Sequence, residues 1–211
     1  ARELMVENYM KQSALAHLGL NARPQPEGDI GVELGELPMM GQVGLRLDST
    51  DKTIRGATEK ALGFSLPFVP NTVTTKGKKA ALWMGPDEWL ITTPIDQVAR
   101  MLDTMSKALE SHHAAVIDVS DSRDIISLSG DNARDVLKKG CGLDLHPKAF
   151  TTGQCAQTSL ALGHMMIHQT AEDKKTKAAS YHLYVHRSFA EYTWAWLEDA
   201  AGEYGVRASG D

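Results

Sequence analysis

The sequence predicts an α+β fold of two pseudo-repeated strand–helix–strands–helix units with mainly antiparallel sheets. Three observations carry this expectation. Apolar spacing switches repeatedly between period 2 and period 3.6 instead of keeping one rhythm. A helix exit is echoed: Gly63-Phe64-Ser65-Leu66-Pro67 returns 79 residues later as Gly142-Leu143-Asp144-Leu145-His146-Pro147. The closing strands, Trp89-Leu90-Ile91 and Leu183-Tyr184-Val185, are separated by 94 residues. The excess of about 15 matches a polar, lysine-rich stretch at 170–179, present only in the second copy.

The elements follow in order. Residues 1–29 read as an N-terminal arm or linker, because Arg23-Pro24-Gln25-Pro26-Glu27-Gly28-Asp29 suits neither helix nor central strand. Residues 30–211 then form one compact domain whose copies span approximately 40–111 and 112–205. Residues 43–47 alternate as a strand. Asp48, Ser49 or Thr50 caps a helix carrying Ile54, Ala57, Thr58 and Ala61, which Gly63 ends. Strands at 72–75 and 80–84 flank the turn Lys76-Gly77-Lys78-Lys79, and another runs over 88–92. Thr93 then caps a helix with Pro94 at its first position and a stripe of Ile95, Val98, Ala99, Leu102, Met105 and Leu109. In the second copy, strands at 114–119 and 125–129 precede a helix from about Asp131 that carries Ala133, Val136 and Leu137 and stops at Gly140. Strands at 155–160, 164–168 and 181–185 follow. A closing helix starts at Ser188, where Ser188-Phe189-Ala190-Glu191 has the form of a capping box.

Composition narrows the class. The chain has 211 residues, 42% apolar and 23% charged, an ordinary globular balance that excludes disordered and fibrous types. A formal net charge of −5 lacks the basic footprint of a nucleic-acid binder. Cys141 and Cys155 are too few for a disulfide framework or a four-cysteine zinc knot. No apolar run suits a membrane span, and Ala1-Arg2-Glu3-Leu4 does not open a signal peptide, so a cytoplasmic protein is expected.

Chemistry is sparse. No Gly-x-Gly-x-x-Gly follows a strand, and no Walker loop occurs. Gly63-Phe64-Ser65-Leu66-Pro67 has half of a nucleophile elbow, but it leaves a helix and ends in proline. His164 and His168, like His182 and His186, lie four apart. On strands that spacing spans about 13 Å, too far for one ion, although a site mixing the two pairs across strands stays open. His112-His113 complements a helix C-terminus. Asp118, Asp121 and Asp124 around Arg123 read either as mutually tuned carboxylates or, more simply, as a turn between strands. Cys141 sits at a helix C-terminus, where the dipole disfavours a thiolate. No catalytic, cofactor-binding or metal-ligating residue is assigned.

Several stretches together resemble the gamma-subunit family of heterotetrameric sarcosine oxidases. They are Ala81-Leu82-Trp83-Met84-Gly85-Pro86-Asp87-Glu88-Trp89-Leu90-Ile91, then Val116-Ile117-Asp118-Val119-Ser120-Asp121-Ser122-Arg123, continuing through Lys139-Gly140-Cys141-Gly142-Leu143-Asp144-Leu145-His146-Pro147. Gly153-Gln154-Cys155-Ala156-Gln157-Thr158 and Arg187-Ser188-Phe189-Ala190-Glu191-Tyr192 complete the pattern, which covers about 80–200. The resemblance implies a complex that oxidatively demethylates sarcosine to glycine, with hydrogen peroxide and, given tetrahydrofolate, 5,10-methylenetetrahydrofolate as products. It implies alpha, beta and delta partner subunits, which hold FAD, FMN, NAD and zinc, and a cofactor-free, non-catalytic gamma chain. It also implies a fold similar to the folate-binding domain of the glycine-cleavage T-protein. The alternative is a free-standing folate-binding or aminomethyltransferase-like domain.

One residue is singled out. On the closing helix Phe189, Tyr192, Thr193, Trp196, Leu197 and Ala200 share a face expected to be core, with Trp194 on the back. Trp194 there is a lone exposed aromatic, part of a satellite cluster under 170–179, or an anchor against a neighbouring subunit.

Overall fold

A computed structural model describes residues 12–24 and 26–210. In chain order the strands and helices are β1 (Val32–Glu36), β2 (Met40–Leu47), α1 (Lys52–Leu62), β3 (Val73–Lys76), β4 (Lys79–Gly85), β5 (Glu88–Pro94) and α2 (Val98–Leu109). Then come β6 (Ala114–Asp118), β7 (Arg123–Ser129), α3 (Ala133–Lys138), β8 (Cys155–Leu160), β9 (Gly163–Glu172), β10 (Ala179–His186), α4 (Ala190–Ala201) and β11 (Val206–Ser209).

The strands form two sheets, ordered β3-β4-β5-β2-β6 and β8-β9-β10-β7-β1-β11. All pairings are antiparallel except that of β1 with β11. The first five places correspond one to one: β2 leads through α1 to the edge strand β3, as β7 leads through α3 to the edge strand β8. This is an α+β fold with a topological repeat. The match is broken at one edge, where β11 pairs alongside β1.

Alternation along each strand assigns its two faces. In β5, Trp89 and Ile91 join Val43, Leu45, Met101, Met105 and Leu109 beneath α1 and α2, while Leu90 points the other way. In β10, Leu183 and Val185 join Val136, Leu137 and Leu197 beneath α3 and α4, while Tyr184 points the other way. Leu82, Leu90, Ile125, Cys155, Met166 and Tyr184 form a third cluster between the sheets. The layers are therefore helix, sheet, sheet, helix. Central strands are buried on both faces, which is why Trp89-Leu90-Ile91 is an unbroken apolar run.

Several boundaries differ from expectation. Gly63 ends α1 in a left-handed conformation, as its position demands. The cap, however, is Asp51, whose Oδ1 accepts from Thr53 N at 2.7 Å and Ile54 N at 3.3 Å. Asp48 instead holds the preceding turn through Thr50. Thr93 does not cap α2: pairing with Gly41 keeps it in β5, and a 3-10 turn, Ile95–Gln97, intervenes. Ser188 likewise caps nothing, because it lies inside a 3-10 turn, Arg187–Phe189. The polar stretch at 170–179 is strand at both ends, with 173–178 as the link between β9 and β10. β1 and β11 were not foreseen.

That second 3-10 turn overturns the expected phase of the closing helix. Its tighter winding separates Phe189 from the helical series, so the stripe counted from Phe189 is rotated: Thr193, Leu197 and Ala200 are buried as expected, but Phe189 and Tyr192 are exposed and Trp196 is half-buried. The buried face of α4 is Ala190, Thr193, Trp194, Leu197, Ala200 and Ala201. Trp194 is 1% exposed within this chain, whereas Phe189 and Tyr192 reach 42% and 38%. The expectation of a back-face Trp194 is thus corrected to a core Trp194. The described part of the expected arm is also packed: Leu15 and Leu20 enter the same core as Val32 and Leu34. Ala14 N donates to Asp124 Oδ1 at 3.3 Å, and Arg23 pairs with Glu198. Residues 1–11 of that arm lie outside the described residues.

Candidate functional site

The two sheets part at one end to leave a cleft of about 440 Å³. Its floor is the inner face of the longer sheet. Period-2 alternation places Arg123 of β7, Tyr184 and His186 of β10, His164 and Met166 of β9, and Gln157 and Ser159 of β8 on it. Met84 of β4 closes the opposite side, and Gln157 Nε2 donates to its carbonyl at 2.8 Å.

Each polar group has a definite setting. Arg123 Nη1 donates to Ser122 Oγ at 3.1 Å, and burial pulls the guanidinium below its ordinary pKa, opposed at longer range by Glu88. Among the described residues Arg123 makes no ion pair. Burial lowers the His186 pKa, and the neighbouring Arg123 charge lowers it further, so neutral imidazole is favoured there. Ser159 Oγ lies 3.0 Å from His164 Nδ1 at the rim. Tyr184 is buried, which raises its pKa. The cleft thus presents the Arg123 cation, the imidazoles of His164 and His186, and amide or hydroxyl groups. Such a set recognises an anionic or hydrogen-bonding group.

The other residues weighed from the sequence are dispersed. His168 and His182 are cross-strand partners on β9 and β10, while His164 and His186 stand at the far ends of those strands. Among the described residues no three His, Cys, Asp or Glu side chains converge on a metal position. Asp118 Oδ1 accepts from Ser120 N at 3.0 Å, Asp124 holds the arm, and Asp121 is exposed, so the three carboxylates shape a turn and its surroundings. Cys141 bridges to Leu160 beside α3, its Sγ 3.6 Å from Thr158 Oγ1. Cys155 is sealed between the sheets, and burial pushes its thiol up to about 12. Gly63-Phe64-Ser65-Leu66-Pro67 leaves α1 as a turn: Leu66 is core, and Ser65 O accepts from Thr74 Oγ1. Sequence reasoning weighed Arg123 only as part of a charged turn and missed the cleft.

Comparison with known proteins places this geometry in context. The profile of the "Sarcosine oxidase, gamma subunit family" matches residues 46–203. Sarcosine oxidase subunit gamma of Corynebacterium sp. (strain U-96) is 32% identical over 209 residues, 98% of each chain. The counterpart of Arthrobacter sp. is 32% identical over 202 residues, 95% of each chain. A chain of the heterotetrameric sarcosine oxidase from Corynebacterium sp. U-96, solved with pyrrole 2-carboxylate, superposes with a TM-score of 0.81 at 33% identity, covering 92% of this chain and 96% of that one. The glycine cleavage system aminomethyltransferase T from Bartonella henselae shares the fold alone, with a TM-score of 0.61 at 12% identity over 93% of this chain and 50% of that one.

Proposed function

The chain belongs to the sarcosine oxidase gamma subunit family, and from that premise we propose that it is the non-catalytic gamma subunit of a heterotetrameric sarcosine oxidase. The observation that carries this is the extent of the match, 98% of both chains in sequence and 92% and 96% in structure. A chain that aligns with a gamma subunit from end to end is built as that subunit. On this reading alpha, beta and delta subunits complete the assembly and hold FAD, FMN, NAD and zinc. The assembly oxidatively demethylates sarcosine to glycine in the cytoplasm, releasing hydrogen peroxide and, with tetrahydrofolate, forming 5,10-methylenetetrahydrofolate. The gamma chain contributes structure, stabilising the partners by binding only their assembled form.

The test is co-expression of this chain with the other three subunits of its host, followed by tag-based purification and sizing. A stoichiometric yellow complex with sarcosine-dependent peroxide formation is expected. Poorly soluble or partial assemblies should appear when this chain is omitted. The reading fails if the chain emerges as a colourless monomer, or if the remaining three form a fully stable and active enzyme.

A further inference from the structure

The cleft between the sheets holds a charge that the fold leaves without a counter-charge. Arg123 is the only Lys, Arg, Asp or Glu among the residues that line it. Its guanidinium is half-buried, and burial lowers its pKa, so the charge has lost part of its hydration. In exchange it gains the Ser122 hydroxyl at 3.1 Å and no ion pair among the described residues. Glu88 acts on it only at longer range and is itself exposed. A partly desolvated cation in this setting carries a penalty that a bound anion relieves.

The fold also fixes where that cation stands. The Arg123 carbonyl accepts from Gln42 Nε2 at 2.8 Å, which ties β7 to β2 of the smaller sheet. Across the longer sheet Arg123 is the direct partner of His186, which shares the cleft wall.

The remaining walls select the anion. His186 is favoured in its neutral form beside the guanidinium, so Arg123 supplies the one permanent positive charge in the cleft. A single charge matches a carboxylate better than a phosphate dianion, and the guanidinium fork grips a carboxylate with two parallel bonds. Next to the Arg123 and His186 pair, Tyr184 and Met166 are cross-strand partners, with Met84 on the opposite side. Two thioethers and a buried aromatic ring suit a compact apolar body. A volume of about 440 Å³ lies within the range of small-molecule sites.

We propose that this cleft binds a small monocarboxylate, its carboxylate on Arg123 and its apolar body against Met84, Met166 and Tyr184. Every one of these residues belongs to this chain, so the site stands independently of the assembly reading.

The experiment titrates the full chain with butyrate at about pH 7.5, where an ordinary histidine is neutral, and follows the ring signals of His164 and His186 by NMR. Butyramide serves as the uncharged counterpart and inorganic phosphate as the rival anion. Butyrate should give saturable shifts with a Kd of about 1–10 mM, phosphate should bind about 10-fold more weakly or worse, and butyramide should not bind. Arg123→Gln should raise the butyrate Kd by about 10-fold or more, and Arg123→Lys, which keeps the charge without the fork, by less. His186→Glu places a carboxylate beside Arg123 from within the chain. Read through His164, it should abolish butyrate binding while melting at least as high as the parent, which keeps the test decisive should Arg123→Gln unfold early. Shifts that never saturate, equal binding of butyramide or phosphate, or unchanged butyrate affinity in these variants would each overturn the proposal.

Discussion

His168 and His182 face each other across β9 and β10, their rings edge to face with centroids 6.1 Å apart. Burial, aided by the neighbouring ring, depresses the His168 pKa to about 4, and burial lowers that of His182. Both rings are therefore folded in their neutral form, and acid favours the unfolded chain.

The sign of the pH dependence follows. A histidine whose pKa is lower folded than unfolded binds its proton more readily when unfolded. Stability is then intact above about pH 6.5 and falls as pH drops toward about 4, by about 3 kcal/mol for His168. Asp124 acts in the opposite sense, since burial raises its pKa and protonation relieves it. His168→Gln should flatten the acid limb of a urea-midpoint against pH curve. An unchanged limb would assign the acid sensitivity to other groups.

Trp194→Ala should destabilise the chain by about 3–5 kcal/mol, because it empties a fully buried indole site beneath α4. Tyr192→Ala, two residues away and outward, should cost far less. Equilibrium denaturation of the two variants side by side checks the phase of the helix.

Leu15→Ala should cost about 2–5 kcal/mol, although the residue lies in a segment without regular α or β structure. Limited proteolysis should then cut near residues 12–24 sooner than in the parent. Equal protection would mean that the segment is held by its polar contacts alone.

Glycine substitutions should split by sign. Gly205 has φ +70°, and a Cβ there would collide with the Asp29 carbonyl, so Gly205→Ala should cost about 2–4 kcal/mol. Gly56 lies in α1 with open space around it, so Gly56→Ala should gain about 0.5–1 kcal/mol. Melting temperatures moving in the same direction for both would contradict this account.

The sequence reveals this fold where local signals and tertiary packing agree. Gly63 ends α1, and the apolar runs at 80–84 and 88–92 are strands, because chain geometry and burial demand the same residues there. It misleads where long-range pairing decides. Val32-Glu33-Leu34-Gly35-Glu36 becomes a strand only because β7 and β11 flank it, partners far along the chain. Thr93 has the chemistry of a cap, yet β2 claims it for the sheet. The cleft was hidden for the same reason: β4, β7, β8, β9 and β10 each contribute at most a few residues, none forming a local motif. Only the Ser159 and His164 pair lies close enough in sequence to have signalled it.

The pairing of β1 with β7 also governs the order in which a growing chain acquires structure. Ser129 of β7 hydrogen-bonds to Glu33 of β1 across 96 residues, and both neighbours of β1 are made much later than β1 itself. During synthesis β2 through β6 complete the smaller sheet from segments close in sequence, while β1 stays without a partner. An unpaired strand edge invites foreign pairing until it is covered. The glutamates Glu33 and Glu36 within β1 oppose such pairing by charge, guarding the strand through its wait.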